Sequence, residues 1–374
     1  MGGLVADPIL DEINLVTLKE IYPDAVEDNF FLDSPFLAHL RKKALVPFTG
    51  GAFMQTVFIY APLIGGSYAR GANFNINKPQ TLSGTQFDPK YYEVSVVEYK
   101  EDIQVLNKGD LSVFRLIDID MQNGIQTISA IIAVALAQNG VNAGRTTEMN
   151  GWTEAINDGI VPSWDGNIYT SYGTQARNGA ITKALNGNSI WCGDTLGAAA
   201  PITYTLMEEA YQTASIGREE PDLGVGNKAV YAYIKERIQP QQRFGQERDP
   251  YWGALGMKMN NALILKDDYF PSLKYGVNQA GIGNWLTSTV VSPTSATNPG
   301  NWPNAKTCTI GEVFAFFNTK KWLLRLADDP EYGLGFSGFV PAQDNTRVVG
   351  QIKAAINLEC TAPRLNIQLM GIGG

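Results

Sequence analysis

The sequence predicts an α+β fold organised around one long helix and one long hairpin. Three observations carry this. Phe53 to Tyr60 and Tyr91 to Tyr99 are rich in β-branched and aromatic residues, the composition of strands. From Phe114 to Leu136 apolar residues recur in steps of three and four, the period of a helix with one buried face. From Gln351 to Gly371 apolar residues alternate, as in strands, with a break near Pro363.

Composition narrows the function classes. At 374 residues the chain has room for two or three domains of roughly 150 residues each. It is 44% hydrophobic and 18% charged, which suits a packed core and excludes a disordered chain. Twenty-nine Lys and Arg against 37 Asp and Glu give a net charge of −8, so no broad basic face is available for nucleic acid. The single histidine, His39, leaves no material for a two-His metal site or a His acid/base pair and, on count alone, disfavours most other His-based chemistry. Cys192, Cys308 and Cys360 are odd in number, widely spaced and without a CxxC pair. That disfavours both a disulfide framework and structural zinc, and fits a reducing compartment. No signal peptide is expected, and the most apolar run, Ile125 to Ala137, is too short for a bilayer, which takes about 20 residues.

In chain order, residues 1–33 read as an arm broken by Pro8 and Pro23. A short helix is predicted from Ser34 to Lys43, with Ser34 as cap, Pro35 at the first turn and His39 at its surface or half-buried. The strand at 53–60 and the strand at 91–99 are predicted to pair as a hairpin. Their connector is far longer than the usual two to five residues. It is also too apolar for solvent, since Leu63, Ile64, Tyr68, Phe74, Ile76, Leu82 and Phe87 need cover that a neighbouring subunit would supply.

Asp110 is the expected start of the long helix and Asn139-Gly140 its end, about 30 residues and about 45 Å. Its predicted core face is Phe114, Ile117, Met121, Ile125, Ile128 and Ile132. Residues 142–189 read as mostly irregular. Helices are expected at Thr203–Ala214 and Lys228–Glu236, a buried strand at Ala262–Leu265, and a long surface loop over 276–306.

No chemical site stands out. Gly333-Leu334-Gly335-Phe336-Ser337-Gly338 has dinucleotide-loop spacing, but Phe339-Val340-Pro341 follows where a helix should start, so it reads as a flexible turn. The acid pairs Glu208-Glu209, Glu219-Glu220, Asp267-Asp268 and Asp328-Asp329 are adjacent in sequence and read as solvated surface. No catalytic, cofactor-binding or metal-binding residues are assigned, and no cofactor is expected. A long apolar hairpin, a long helix and an arm, without a site, suit a protein whose partner is itself.

These segments resemble the major capsid proteins of tailed double-stranded DNA phages with the Hong Kong 97-type coat fold. The resemblance rests on Phe58 to Gly66 with Tyr68-Ala69-Arg70-Gly71, on Lys90 to Val96 running into Tyr99 to Ile103, and on the helix from Asp110. It continues in Thr170-Ser171-Tyr172-Gly173, in Pro221-Asp222-Leu223, in Arg237 to Phe244, and in Gly350 to Cys360 with Pro363-Arg364-Leu365. It implies an arm and short helix at 1–49, an extension loop (E-loop) at 50–98, a peripheral (P) domain with its spine helix at 99–148, an axial (A) domain at 149–315, and a return to the P domain with the last strands at 316–374. It implies E-loop contacts to the next subunit through Tyr68, Arg70, Phe74, Lys78 and Leu82. Arg70 has no acid near it on its own loop, so its expected partner is an acid of another subunit on or near the long helix, such as Asp118 or Asp120. Lys78 is the candidate where members of the family crosslink. The implied partners are copies of the chain in hexamers and pentamers, portal and scaffolding proteins, a decoration protein, and non-specific contact with packaged double-stranded DNA, with no membrane. The implied location is the virion capsid, assembled in the host cytoplasm. An encapsulin-type nanocompartment shell, which shares the fold, and a stand-alone hydrolase are the other readings.

Overall fold

The computed structural model describes residues 34–73, 76–101, 116–137, 147–159, 163–164, 167–177, 191–197, 202–238, 246–248, 255–272, 312–341 and 346–372. The expected arm, Phe74, Asp110, Phe114, the Asn139-Gly140 stop, the 276–306 loop and Cys308 lie outside these residues.

Helix α1 (Pro35–Lys43) starts as the sequence predicts. Ser34 Oγ accepts from the Leu37 amide at 3.3 Å, Pro35 needs no partner at the first turn, and Arg41, Lys42 and Lys43 complement the dipole at the other end. His39 is 3% exposed and faces the core with Phe36 and Leu40, not the surface. Four strands follow: β1 (Leu45–Phe48), β2 (Met54–Ile59), β3 (Leu82–Phe87) and β4 (Lys90–Tyr99). The long helix is α2 (Leu116–Ala135), then come α3 (Trp152–Ile156), β5 (Ser171–Tyr172), β6 (Gln175–Ala176) and β7 (Asp194–Gly197). Helix α4 (Tyr204–Ala214) is capped by Thr203, and β8 (Leu223–Gly226) leads into α5 (Lys228–Ile238). The remaining strands are β9 (Gln246–Arg248), β10 (Leu255–Met259), β11 (Ala262–Lys266), β12 (Glu312–Phe317), β13 (Trp322–Ala327), β14 (Gly333–Phe336), β15 (Val340–Pro341), β16 (Arg347–Cys360) and β17 (Ile367–Ile372).

Two sheets organise these elements. In the first, β16 is the axis. β4 pairs antiparallel along one side of it, from Arg347↔Tyr99 to Ile356↔Lys90, while β13, β14 and β15 share the other side in succession and β1 lies parallel to β13. The second runs β7-β17-β12-β8-β11-β10-β9. The pairing of β4 corrects the hairpin reading. The return strand of the hairpin is β3, in register from Met54↔Phe87 to Ile59↔Leu82. β4 offers ten ladder positions to a partner some 250 residues away, whereas the Ser-Gly pair in β3 hid its strand character.

The chain passes between the sheets at β12–β13 and at β16–β17. Asn366 joins the two crossings: its Oδ1 accepts from the Asn318 amide and from Trp322 Nε1, both at 2.9 Å, and its Nδ2 donates to the carbonyls of Ala362 and Pro363. Asp222 adds a second tie, accepting from the Thr319 amide at 2.7 Å and from Lys43 at 2.9 Å. Burial alone would raise the Asp222 carboxyl, but these bonds outweigh it and hold the group below the usual carboxylate range.

Four further expectations change. α2 packs on the first sheet through Met121, Gly124, Ile128 and Ile132, while Ile125 is 52% exposed. A Cβ on Gly124 would sit 2.8 Å from Ile352 Cδ1 and 3.2 Å from Val96 Cγ2, so the glycine is the point of closest approach and turns Ile125 away. Ile117 lies in α2, and the regular helix ends at Ala135, short of Asn139. Gly333–Phe336 is strand β14, laid against β16, rather than a flexible turn. Ala354 to Cys360 are all buried, because that half of β16 is covered on both faces, so the predicted alternation fails there.

Candidate assembly surface

The hairpin β2–β3 has one covered face along its strands and an exposed loop beyond them. At the base Phe87 meets Tyr172 edge-on at 5.1 Å, and at the loop end of β2 Phe58 stacks on Trp191 with ring centroids 4.2 Å apart. Gln175 Nε2 donates to the Gly84 carbonyl at 2.6 Å, and the Gln86 amide to the Gly173 carbonyl at 3.1 Å. Phe87 is therefore 2% exposed and covered within its own chain, contrary to expectation. Gly50 and Gly51 enter the hairpin at φ +126° and +116°, a backbone other residues rarely adopt.

From Ile59 outward most described residues are open, with Tyr60, Ala61, Pro79 and Thr81 half-buried. Ile59 is 73% exposed, Leu63 72%, Tyr68 67%, Ile76 91% and Leu82 52%. Arg70 and Lys78 are exposed as well. So of the five residues expected to contact another subunit, Tyr68, Arg70, Lys78 and Leu82 are strung along an uncovered segment, and Phe74 is outside the described residues. Asp120 is half-buried on α2, and no Asp118 side chain is described. Large apolar side chains at this density are unusual on the open surface of a solvated loop.

Sequence reasoning missed a cleft of about 800 Å³ beside the hairpin base. Tyr91, Tyr332, Glu93, Asp328, Asp329 and Lys353 line it, with Gly50 and Pro89 at its rim. Lys353 Nζ is 2.6 Å from Glu331 and 5.4 Å from the centre of the Tyr332 ring, and Tyr91 meets Tyr332 edge-on at 6.2 Å. The bond to Glu331 raises the Lys353 pKa, so this ammonium stays charged. The Asp329 carboxylate accepts from the amides of Glu331 and Tyr332 and shapes the turn between β13 and β14.

Buried charge elsewhere serves the fold. Arg177 is fully buried and donates to the backbone carbonyls of Glu154, Ala155 and Trp191. Glu154, beside it, accepts from Asn150 at 2.8 Å, and burial pushes its carboxyl up to about 7. Asp267 is 2% exposed, not solvated surface: it accepts from Ser34 Oγ and the Phe36 amide at the start of α1, and burial pushes it up to about 6. Cys192 and Cys360 are buried and form no disulfide with each other, and burial pushes the Cys360 thiol up to about 12. Among the described residues no cluster of three or more His, Cys, Asp or Glu is placed to hold a metal, and no helix is long and apolar enough to cross a membrane.

No family model and no curated protein matches the chain. Solved structures do. The capsid of cyanophage A-1(L) is similar over 95% of this chain and 97% of its own, at 12% identity and a TM-score of 0.57. The capsid of an empty GTA particle is similar over 94% and 96%, at 10% identity and 0.57. The holo-SrpI encapsulin complex of Synechococcus elongatus PCC 7942 is similar over 97% and 95%, at 8% identity and 0.54. The likeness is one of fold: a mixed α and β chain with the Hong Kong 97-type architecture of shell proteins.

Proposed function

We propose that this chain is the major capsid protein of a tailed double-stranded DNA phage, a structural protein and not an enzyme. It assembles as hexamers and pentamers into an icosahedral shell around the packaged genome. One observation carries the reading: a full-length shell-protein fold holds out an uncovered apolar segment, Ile59 to Leu82. That segment acts as the E-loop and α2 as the spine helix. Burial in the shell supplies the cover that a single subunit lacks. The net charge of −8 suits an inner surface that touches packaged DNA without holding it. The shell forms in the host cytoplasm with portal and scaffolding proteins and accepts a decoration protein outside.

The similarity to an encapsulin supports a second reading, a nanocompartment shell. Electron microscopy of the purified particles, with their contents analysed, separates the two. Closed shells holding nuclease-protected DNA support the phage reading. Shells holding a protein cargo and no DNA support the second, and a protein that stays monomeric defeats both.

A further inference from the structure

We propose that the acidic aromatic cleft between β4 and the β13–β14 turn is the receptor for the tip of the β2–β3 loop of an adjacent copy, with Arg70 and Lys78 entering it. This rests on the capsid reading, names the partner surface of the same loop, and gives Arg70 the cleft acids in place of the Asp118 or Asp120 expected from the sequence.

Charge selects the occupant. Between Met54 and Phe87 the only charged residues are Arg70 and Lys78, so the loop carries +2 and no acid. In the cleft, Lys353 is neutralised by Glu331, which leaves Glu93, Asp328 and Asp329. Glu93 and Asp328 are exposed. The other long apolar segment available, residues 1–33, has one lysine against eight acids, a net charge of −7, and the cleft repels it. The rings suit the guest as well. Tyr91 is 65% exposed and offers a ring to a guanidinium or ammonium, while Tyr332, 38% exposed, already carries the Lys353 ammonium over its ring and offers its edge to apolar side chains.

Geometry sends the loop to another copy. Gly50 and Pro89 line the cleft and flank the base of the hairpin. The six-residue strands alone carry the chain about 20 Å from that base, and 22 residues of loop follow between Ile59 and Leu82. The tip of an extended hairpin therefore lies at the far end from its own cleft. A loop entering the next copy's cleft is a head-to-tail contact, the kind that forms a ring where its rotation closes.

The test uses two full-length variants. Arg70→Glu with Lys78→Glu reverses the loop; Glu93→Lys with Asp328→Lys reverses the cleft. Circular dichroism melting checks that each folds, and should Glu93→Lys melt early, Asp328→Lys alone carries the test. Each variant by itself should lose at least tenfold in assembled particles. Mixed one to one, opposite charges alternate around a ring, so even-numbered rings should return. If the cleft-reversed chain assembles like the parent, or the mixture stays as monomers, the cleft is not the receptor. If the parent itself forms no particles, the capsid reading fails instead, so the two failures are distinct.

Discussion

Replacing Ile76 with Asp separates folding from assembly. Ile76 is 91% exposed and adds almost nothing to the stability of the subunit. The substitution should leave the melting temperature within the range of a surface change, about 0.5 kcal/mol. In a shell the same side chain loses its solvent. Burying it is worth about 2 kcal/mol per contact, and burying a carboxylate in its place adds several more. The transfer contribution alone is more than tenfold in the association constant, and the charge takes it to about a thousandfold or beyond. Because a ring repeats the contact around its circumference, assembly should stop at subunit concentrations where the parent is fully closed. Size-exclusion chromatography with electron microscopy reads assembly, and circular dichroism melting reads folding. An Ile76→Asp chain that melts like the parent and still closes into shells at parental yield would refute the burial of this loop.

Ile128→Asp should behave in the opposite way. Ile128 is 1% exposed where α2 meets the first sheet, and a buried charge there costs several kcal/mol, so insoluble subunits are expected; soluble shells would show that α2 does not carry the core. Asn366→Ala should lower stability by about 3 kcal/mol, since it orphans the Asn318 amide and the Trp322 Nε1 proton together, and urea unfolding measures it. Stability should also fall as pH rises. Glu154, at about 7 in the fold against the ordinary 4.5, stabilises fully only below its unfolded value and loses that contribution as pH climbs through 7, about 3 kcal/mol in all. Asp267 acts alike through about 6, so between about 6 and 7 Glu154 alone supplies the slope, and Glu154→Gln should flatten that stretch of a stability profile taken from pH 5 to 8.

What was legible in the sequence was local. Ser34 and Thr203 cap their helices because a hydroxyl reaches the amide three residues on, a rule that needs no knowledge of the rest of the chain. The break between β16 and β17 follows from Pro363 in the same way. The partner of β4 was not legible. Its ladder is with residues 347–356, and nothing nearby in sequence marks them as closer kin than β2. Ile125 misled for a related reason. A count of apolar residues passes over Gly124, whose missing side chain is what brings helix and sheet together. Asp267 reads as a surface acid until the start of α1 is seen to need its oxygens.

The loop and the cleft differ in the same respect. The loop announced itself, because Leu63, Ile64, Tyr68 and Ile76 lie close together with too few polar residues to keep them in water. The cleft is assembled from residues near 48–50, 89–93, 327–332 and 353–355, each unremarkable in its own segment. Lys353 and Glu93 become neighbours only through the β4–β16 register, which pairs them directly.

A cryo-electron microscopy reconstruction of particles assembled from the full-length chain tests the central claim most directly. It should show a closed icosahedral shell in which residues 60–81 of each subunit leave their own body and lie across the next, with Ile76 out of solvent. A chain that remains monomeric, or a shell in which that segment folds back over its own subunit and leaves the neighbour untouched, would contradict it.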